Sequence, residues 1–352
     1  MTRLFTTGAE EADPNALWDS VDAQASATAV YVGQLQPFGP IGNLSFAPRT
    51  GRGMYLLTSN QYLRKDYGIV TTHTELFWGF AMRVPFLATG EFLTAYTEDP
   101  GVYSNRLALR LKADGTVEVT RSGVLIASSA VGVITVDAWY YFEVWFKPLN
   151  ANGRAVVYVD GVKVIDFTGD TTAEEEFINA WQISGVEESN ARVSTAFDDI
   201  VCNDQNGAVN NTYPGMVRLL PIRPEAAGTD ADWARAGVDL GYDEAQARNG
   251  TFEYTKLQTA DADDLVNFTP ELPDLPVGAS IKNIVLSVRA KVEAGAGVIA
   301  PMVISNATPD ISADQTLVSA WRYYQYAWAL NPDDAGAWDE ADLAALEIGV
   351  SS

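Results

Sequence analysis

The sequence predicts an all-β chain in two sandwich domains, on three observations. Apolar residues alternate with polar ones at period two, Asp-Gly pairs interrupt the alternation, and a polar break near residue 203 divides the chain. From Arg106 to Lys112, Leu107, Leu109 and Leu111 face one way, and Arg106, Ala108, Arg110 and Lys112 the other, as in a half-buried strand. Asp114-Gly115 then turns the chain into a return strand with Val117 and Val119 on one face. Phe142, Val144 and Phe146 share a face of the next strand, Tyr140 to Lys147. Ala155 to Val159 closes on Asp160-Gly161 before Val162 to Phe167. Repeated Asp-Gly hairpins favour an antiparallel sandwich over alternating βαβ units.

Asn203 to Gly215 holds turn residues and almost nothing to bury, so it separates a first domain (1–203) from a second (216–352) by a linker (204–215). The second domain opens with Met216 to Ile222, read as a short strand, and Asp230 to Trp233, read as the start of a helical turn. Ile281 to Val292 is its clearest strand, since Ile284, Leu286, Val288, Ala290 and Val292 fall on one face. Gly295-Ala296-Gly297 reads as a hairpin turn into Val298 to Ser305, with Val318 to Leu330 a further strand. Asp339 to Leu346, with carboxylates in its first turn, is the one predicted helix, and Glu347 to Val350 the final strand.

Composition narrows the function classes. The 352 residues are 47% apolar and 11% aromatic, enough to bury real cores, and the formal charge is −23. The two domains carry about −10 and −13 of it, so no acidic tail is responsible. Such acidity disfavours nucleic acid and anionic lipid, which are held by Lys and Arg. No apolar stretch approaches the roughly 20 residues of a membrane span, and Met1 to Glu11 shows no signal-peptide h-region. One His and one Cys leave no multi-His or multi-Cys metal site and no intrachain disulfide. His73, in Thr71 to Thr74 within a run read as strand, is read as structural or surface, and Cys202 as a buried small hydrophobe at a strand end.

Chemistry-bearing patterns are few. A glycosidase needs two carboxylates across a sugar site, and no strand carries a Glu-x-Asp-x-Glu run, so catalytic residues and cofactors are expected to be absent. A structural calcium would be held by Glu10 or Glu11 with Asp198 and Asp199 if the first and last strands of the first domain lie side by side; exposed or hydrogen-bonded acids are the competing reading. Trp18, Tyr62, Tyr67, Tyr96 and Tyr103 are the candidate aromatic platforms for a glycan, against a competing reading as packing residues.

Phe5-Thr6-Thr7-Gly8, Trp139 to Val144, Gly153 to Val162 and Phe197-Asp198-Asp199-Ile200 resemble, in that order, the concanavalin A-like (laminin-G-like) jelly roll over roughly residues 3–203. With Asn206 to Gly215 and the all-β second half ending at Trp338 to Val350, the chain resembles virion structural proteins of tailed bacteriophages. The resemblance implies a non-enzymatic component on the outside of the head or tail. Its partners would be other virion proteins and copies of itself, without nucleic acid or membrane insertion. The alternative it implies is a receptor-binding adhesin that recognises host-surface glycan through the jelly roll, with a glycoside hydrolase third.

Overall fold

The computed structural model describes residues 3–7, 20–21, 28–29, 55–57, 61–68, 71–99, 102–172, 175–186, 195–206, 209–220, 224–231, 234–235, 255–256, 265–270, 275, 279–292, 295–320 and 322–351. The chain divides into two units, Met1–Leu219 and Leu220–Ser352. In the first unit the strands are β1 (Arg3–Thr7), β2 (Ser20–Val21), β3 (Thr28–Ala29), β4 (Tyr55–Leu57), β5 (Tyr62–Asp66), β6 (Leu76–Arg83), β7 (Gly90–Asp99) and β8 (Val102–Leu111). They continue with β9 (Val117–Arg121), β10 (Val124–Ser128), β11 (Trp139–Lys147), β12 (Gly153–Val159), β13 (Val162–Gly169), β14 (Ala180–Ser184) and β15 (Thr195–Asp204).

These strands make two antiparallel sheets. The first runs β13-β12-β11-β6-β15-β4-β3, with β1 also on β15; the second runs β10-β9-β8-β7-β14-β5-β2. The chain crosses between the sheets several times, while β7–β10 and β11–β13 run as meanders within one sheet each. Alternation aims one face of each sheet at a shared aromatic core. Phe80 of β6 stacks on Phe142 of β11 at 5.3 Å and 7°, and meets Phe92 of β7 edge-on at 6.2 Å. Trp78 meets Trp181 of β14 at 6.2 Å.

The Asp-Gly turns lie where the spacing places them. Asp160 and Gly161 have φ of 48° and 76°, the left-handed pair that a two-residue hairpin between twisted strands requires. Ser122-Gly123, at 47° and 80°, makes a second such turn, between β9 and β10, whereas in Asp114-Gly115 only Gly115 has positive φ, 77°.

The segment expected to be a linker behaves differently. Residues 209–219 lie as a strap on the outer face of the first sheet. Tyr213 packs against Phe77 (5.4 Å) and Tyr158 (5.2 Å), and Val217 is buried with Ala81, Tyr141 and Val201. Backbone donors fix it: Gly215 N–H donates to Glu143 Oε1 (2.9 Å) and Leu219 N–H to Asp199 Oδ1 (2.8 Å). Residues 216–220 are therefore not the expected strand. Gly79 makes the close approach possible, since a Cβ there would collide with the Tyr141 hydroxyl and lie 3.1 Å from Pro214. Burial pushes the Glu143 carboxyl above the usual carboxylate range, only partly offset by the bond from Gly215.

The second unit contains β16 (Pro224–Ala231), β17 (Ala234–Arg235), β18 (Thr255–Lys256), β19 (Leu265–Pro270), β20 (Ile284–Ala290), β21 (Val298–Ser305), β22 (Thr308–Ile311), β23 (Gln315–Thr316), β24 (Arg322–Trp328), α1 (Glu340–Ala344) and β25 (Leu346–Ser351). One sheet runs β16-β19-β25-β21-β22, with β23 also on β21, and β20 pairs with β24 alone. Gly295 to Gly297 thus carries the chain from one sheet to the other instead of closing a hairpin. Ile284 and Trp328 of the small sheet pack on Val303 and Ile348 of the large one, with Trp338, Leu343 and Leu346. The helix is capped reciprocally by Asp339 and Asp342. Both units are antiparallel β throughout, the second smaller and holding the one short helix among the described residues.

Candidate functional site

Two adjacent rows of residues cross the second sheet of the first unit. Leu63, Ile183, Leu93, Leu109 and Val119 are successive register partners on β5, β14, β7, β8 and β9, and all are fully buried in the sandwich core. One residue further along each strand, the side chains point to the opposite face. That offset row reads Arg64, Gln182, Thr94, Ala108 and Thr120. The same alternation therefore builds a greasy inner row and a polar outer one.

Arg64 is the centre of the outer row. Its Nη2 donates to Gln182 Oε1 at 2.8 Å, and its guanidinium lies 5.0 Å from the centroid of Tyr62 and 5.1 Å from that of Tyr96. Tyr62 is two residues before Arg64 on the same strand face. Tyr96 is two strands away and reaches across Ala180, which is too small to intervene. Gln182 Nε2 donates to Ser184 Oγ at 3.1 Å, which fixes the amide. Along the row the hydroxyls of Thr94 and Thr120 are buried without a hydrogen-bond partner among the described residues. A neighbouring outer position holds the Arg110–Glu118 ion pair, in which Glu118 Oε2 accepts from Nη2 at 2.6 Å and from Nε at 2.8 Å. The face presents a half-buried guanidinium beside the partly exposed Tyr62 phenol, with the Gln182 amide and the Thr94 and Thr120 hydroxyls buried along the row. Such groups can pair with the charge and hydroxyls of an anionic, hydroxyl-bearing ligand.

The predicted site residues are dispersed differently. Tyr62 and Tyr96 come together around Arg64. Tyr67 packs edge-on to His73 at 5.0 Å, and its hydroxyl accepts from Trp181 Nε1, so it is a packing residue. Tyr103 lies on β8 opposite Glu98, and Trp18 lies outside the described residues. β1 does pair with β15, but Glu10 and Glu11 lie outside the described residues. Asp198 and Asp199 are buried at a bulge where Asp199 has φ 52°; Asp198 Oδ1 accepts from Asp199 N–H, and Asp199 Oδ1 holds the strap. Among the described residues no three His, Cys, Asp or Glu side chains gather as a metal site. His73 is buried in an isolated bridge to Ile178, with Nδ1 3.4 Å from Asp204. Burial lowers its pKa, against the opposing pull of Asp204. Arg64 and Gln182 were missed because their strands are short. The signal was present in Tyr62-Leu63-Arg64 and Gln182-Ile183-Ser184, where polar and apolar residues alternate.

No family model and no curated protein matches this chain. Lyases and sialidases are among the similar solved structures. An endo-β-1,4-glucuronan lyase from Trichoderma reesei aligns with 57% of this chain and 95% of its own, at 14% identity and TM-score 0.40. Alginate lyase Aly36B aligns with 43% of this chain and 80% of its own, at 19% identity and TM-score 0.30. A sialidase from Trypanosoma rangeli in complex with sialic acid aligns with 43% and 25%, at 14% identity and TM-score 0.32. These likenesses assign no role to any residue. The expected non-enzymatic virion component, with its adhesin alternative, and the expected absence of enzyme activity are both withdrawn against them, since the named structures are carbohydrate enzymes and none is a virion protein.

Proposed function

We propose that the first unit is a carbohydrate-active enzyme module whose second-sheet outer face takes a carboxylated polysaccharide and cleaves it by β-elimination. The observation that carries this reading is the Arg64 guanidinium, held between Tyr62 and Tyr96 and bonded to Gln182. In a chain of net charge −23, a guanidinium held in place by the Gln182 amide and beside two aromatic rings is the feature that suits an anion. Arginine stays charged and meets a carboxylate through paired N–H donors, so a sugar carboxylate suits it.

The chemistry follows from where charge develops. Elimination from a uronate removes the proton on the carbon bearing the carboxylate, forms the C4–C5 double bond and breaks the C4–O glycosidic bond. Negative charge builds on the carboxylate as the proton leaves, and Arg64 with the Gln182 amide would stabilise it there. With the Tyr62 phenol beside that position as the proton-transfer group, the proton taken from C5 is passed to the departing O4, so that the C5–H and C4–O bonds break as the C4–C5 double bond and the new hydroxyl form. Hydrolysis by paired carboxylates is less suited to this face, because Glu118 is tied to Arg110 through two bonds.

The test is incubation of the full chain with a panel of polyuronates, with neutral polysaccharides as controls, following the ultraviolet absorbance of the unsaturated product. Product from at least one polyuronate is expected, and Arg64→Ala should lower the rate by about 10²–10³-fold. Absence of product across the panel, or full activity in Arg64→Ala, would overturn the proposal.

A further inference from the structure

His73 is the one histidine of the chain, and the candidate site makes no use of it. It is buried in a bridge to Ile178 closed by two backbone bonds, 2.9 Å from the His73 N–H and 2.8 Å from that of Ile178. Beside the bridge, Tyr67 N–H donates to Asn179 O at 2.8 Å, and Asn179 N–H to Tyr96 O at 3.1 Å. The bridge thus extends the start of β14, the strand that joins β5 to β7 and with them Arg64, Gln182 and Tyr96. Neither ring nitrogen of His73 has a hydrogen-bond partner among the described residues. Two titratable groups face the ring. The Asp204 carboxylate, at the end of β15, lies 3.4 Å from Nδ1 and already accepts from Asn206 N–H (3.0 Å) and Asn206 Nδ2 (2.7 Å). The Tyr67 phenol meets the imidazole edge-on, and Ile178 brings an apolar side chain across the bridge.

We propose that His73 is an acid-sensitive latch: protonation of its ring opens the bridge to Ile178 and loosens the start of β14, and with it the strands that hold the Arg64 cluster. A neutral imidazole fits the place, with one N–H toward Asp204 and a lone pair on the other nitrogen. A proton added at Nε2 makes a charged donor that is buried without an acceptor, and such a group is costly to keep. Opening gives the ring to water, where it takes the proton at its ordinary value of about 6.5. Burial holds the folded ring below that value, against the pull of Asp204. The opened state therefore binds more protons on the acid side, and the latch, fully stable above pH of about 6.5, weakens as pH falls. Glu143 cannot imitate this, since its raised carboxyl acts with the opposite sign. The latch stands apart from the polysaccharide reading; only its effect on activity rests on that reading, and its test needs no substrate.

Amide hydrogen exchange of the full chain, followed from about pH 7.5 to about 5.5 and corrected for the intrinsic effect of pH, tests it. The His73, Ile178 and Asn179 amides are expected to lose protection over that range by up to about tenfold, the effect of one proton one unit below its ordinary value. The amides of β11 that pair with β12 should keep theirs. His73→Phe keeps a ring against Tyr67 but has no nitrogen to titrate, and its bridge amides should be protected equally at both ends of the range. Glu143→Gln should show the wild-type loss. The single histidine also gives one set of imidazole signals in nuclear magnetic resonance, which reads the latch in the wild type even if His73→Phe fails to fold. Those signals should remain in the neutral position at the pH where a free imidazole is half charged. Bridge amides indifferent to pH, an equal loss in His73→Phe, a loss spread equally over β11, or an imidazole that titrates at or above its ordinary value would each overturn the proposal.

Discussion

Phe80 sits where the two sheets of the first unit meet, its ring contacting Phe142 of its own sheet and Phe92 of the other. Cutting it back to alanine leaves a void bounded by rings that cannot all collapse inward. Phe80→Ala should cost about 3–5 kcal/mol in chemical denaturation, with an unchanged denaturant slope if the native state persists. Glu143 makes a second prediction. Its carboxyl is raised by burial, so the folded state holds the proton to a higher pH than the unfolded chain does. Between the ordinary carboxylate value and the raised one, the folded state binds more protons, and stability falls as pH rises. Glu143→Gln keeps an oxygen to accept from Gly215 N–H and removes the titration. Its denaturation midpoint should lose that decline with pH and exceed the wild type at neutral pH; an unchanged slope would show that Glu143 is not its source.

At the scale of elements, the strap is the feature the sequence concealed. Its composition is that of a linker, and the positions that seat it, Gly79, Glu143 and Asp199, are scattered over strands far apart in the chain. No local pattern reports such a contact. Gly79→Ala should destabilise the first unit by about 1–3 kcal/mol, because the added methyl displaces the Tyr141 hydroxyl or the strap. A chain ended after Leu219 should fold as the isolated first unit, and one ended after Asn203 should bind a hydrophobic dye, having lost the cover over Ala81 and Val201; equal behaviour of the two would show that the strap is dispensable. The strands themselves were legible wherever alternation ran unbroken. Val117–Arg121 and Trp139–Lys147 carry their core residues at the predicted positions, and both predicted Asp-Gly turns have positive φ at the glycine. Met216 to Ile222 was misread as a strand because Val217 and Leu219 alternate, yet they do so to reach a surface already built.

For the whole molecule, the sequence carried the antiparallel β class, and the candidate site only in part. Tyr62 and Tyr96 were recognisable as aromatic side chains in polar surroundings, but the cation between them was not, because Arg64 joins Gln182 and Tyr96 only through the register of β5, β14 and β7. Register is a property of strand pairing, invisible in any one strand. Against a net charge of −23, the guanidinium held beside Tyr62 and Tyr96 is the group on which the proposed anion site rests. Calorimetric titration of the full chain and of Arg64→Ala, each with a polyuronate and with the same polymer after its carboxyls are reduced to alcohols, tests the site most directly. The wild type should bind the acidic polymer and ignore the reduced one, and Arg64→Ala should lose at least about tenfold in affinity, or 1.4 kcal/mol. Equal binding of both polymers, or undiminished binding by Arg64→Ala, would contradict a carboxylate site at Arg64.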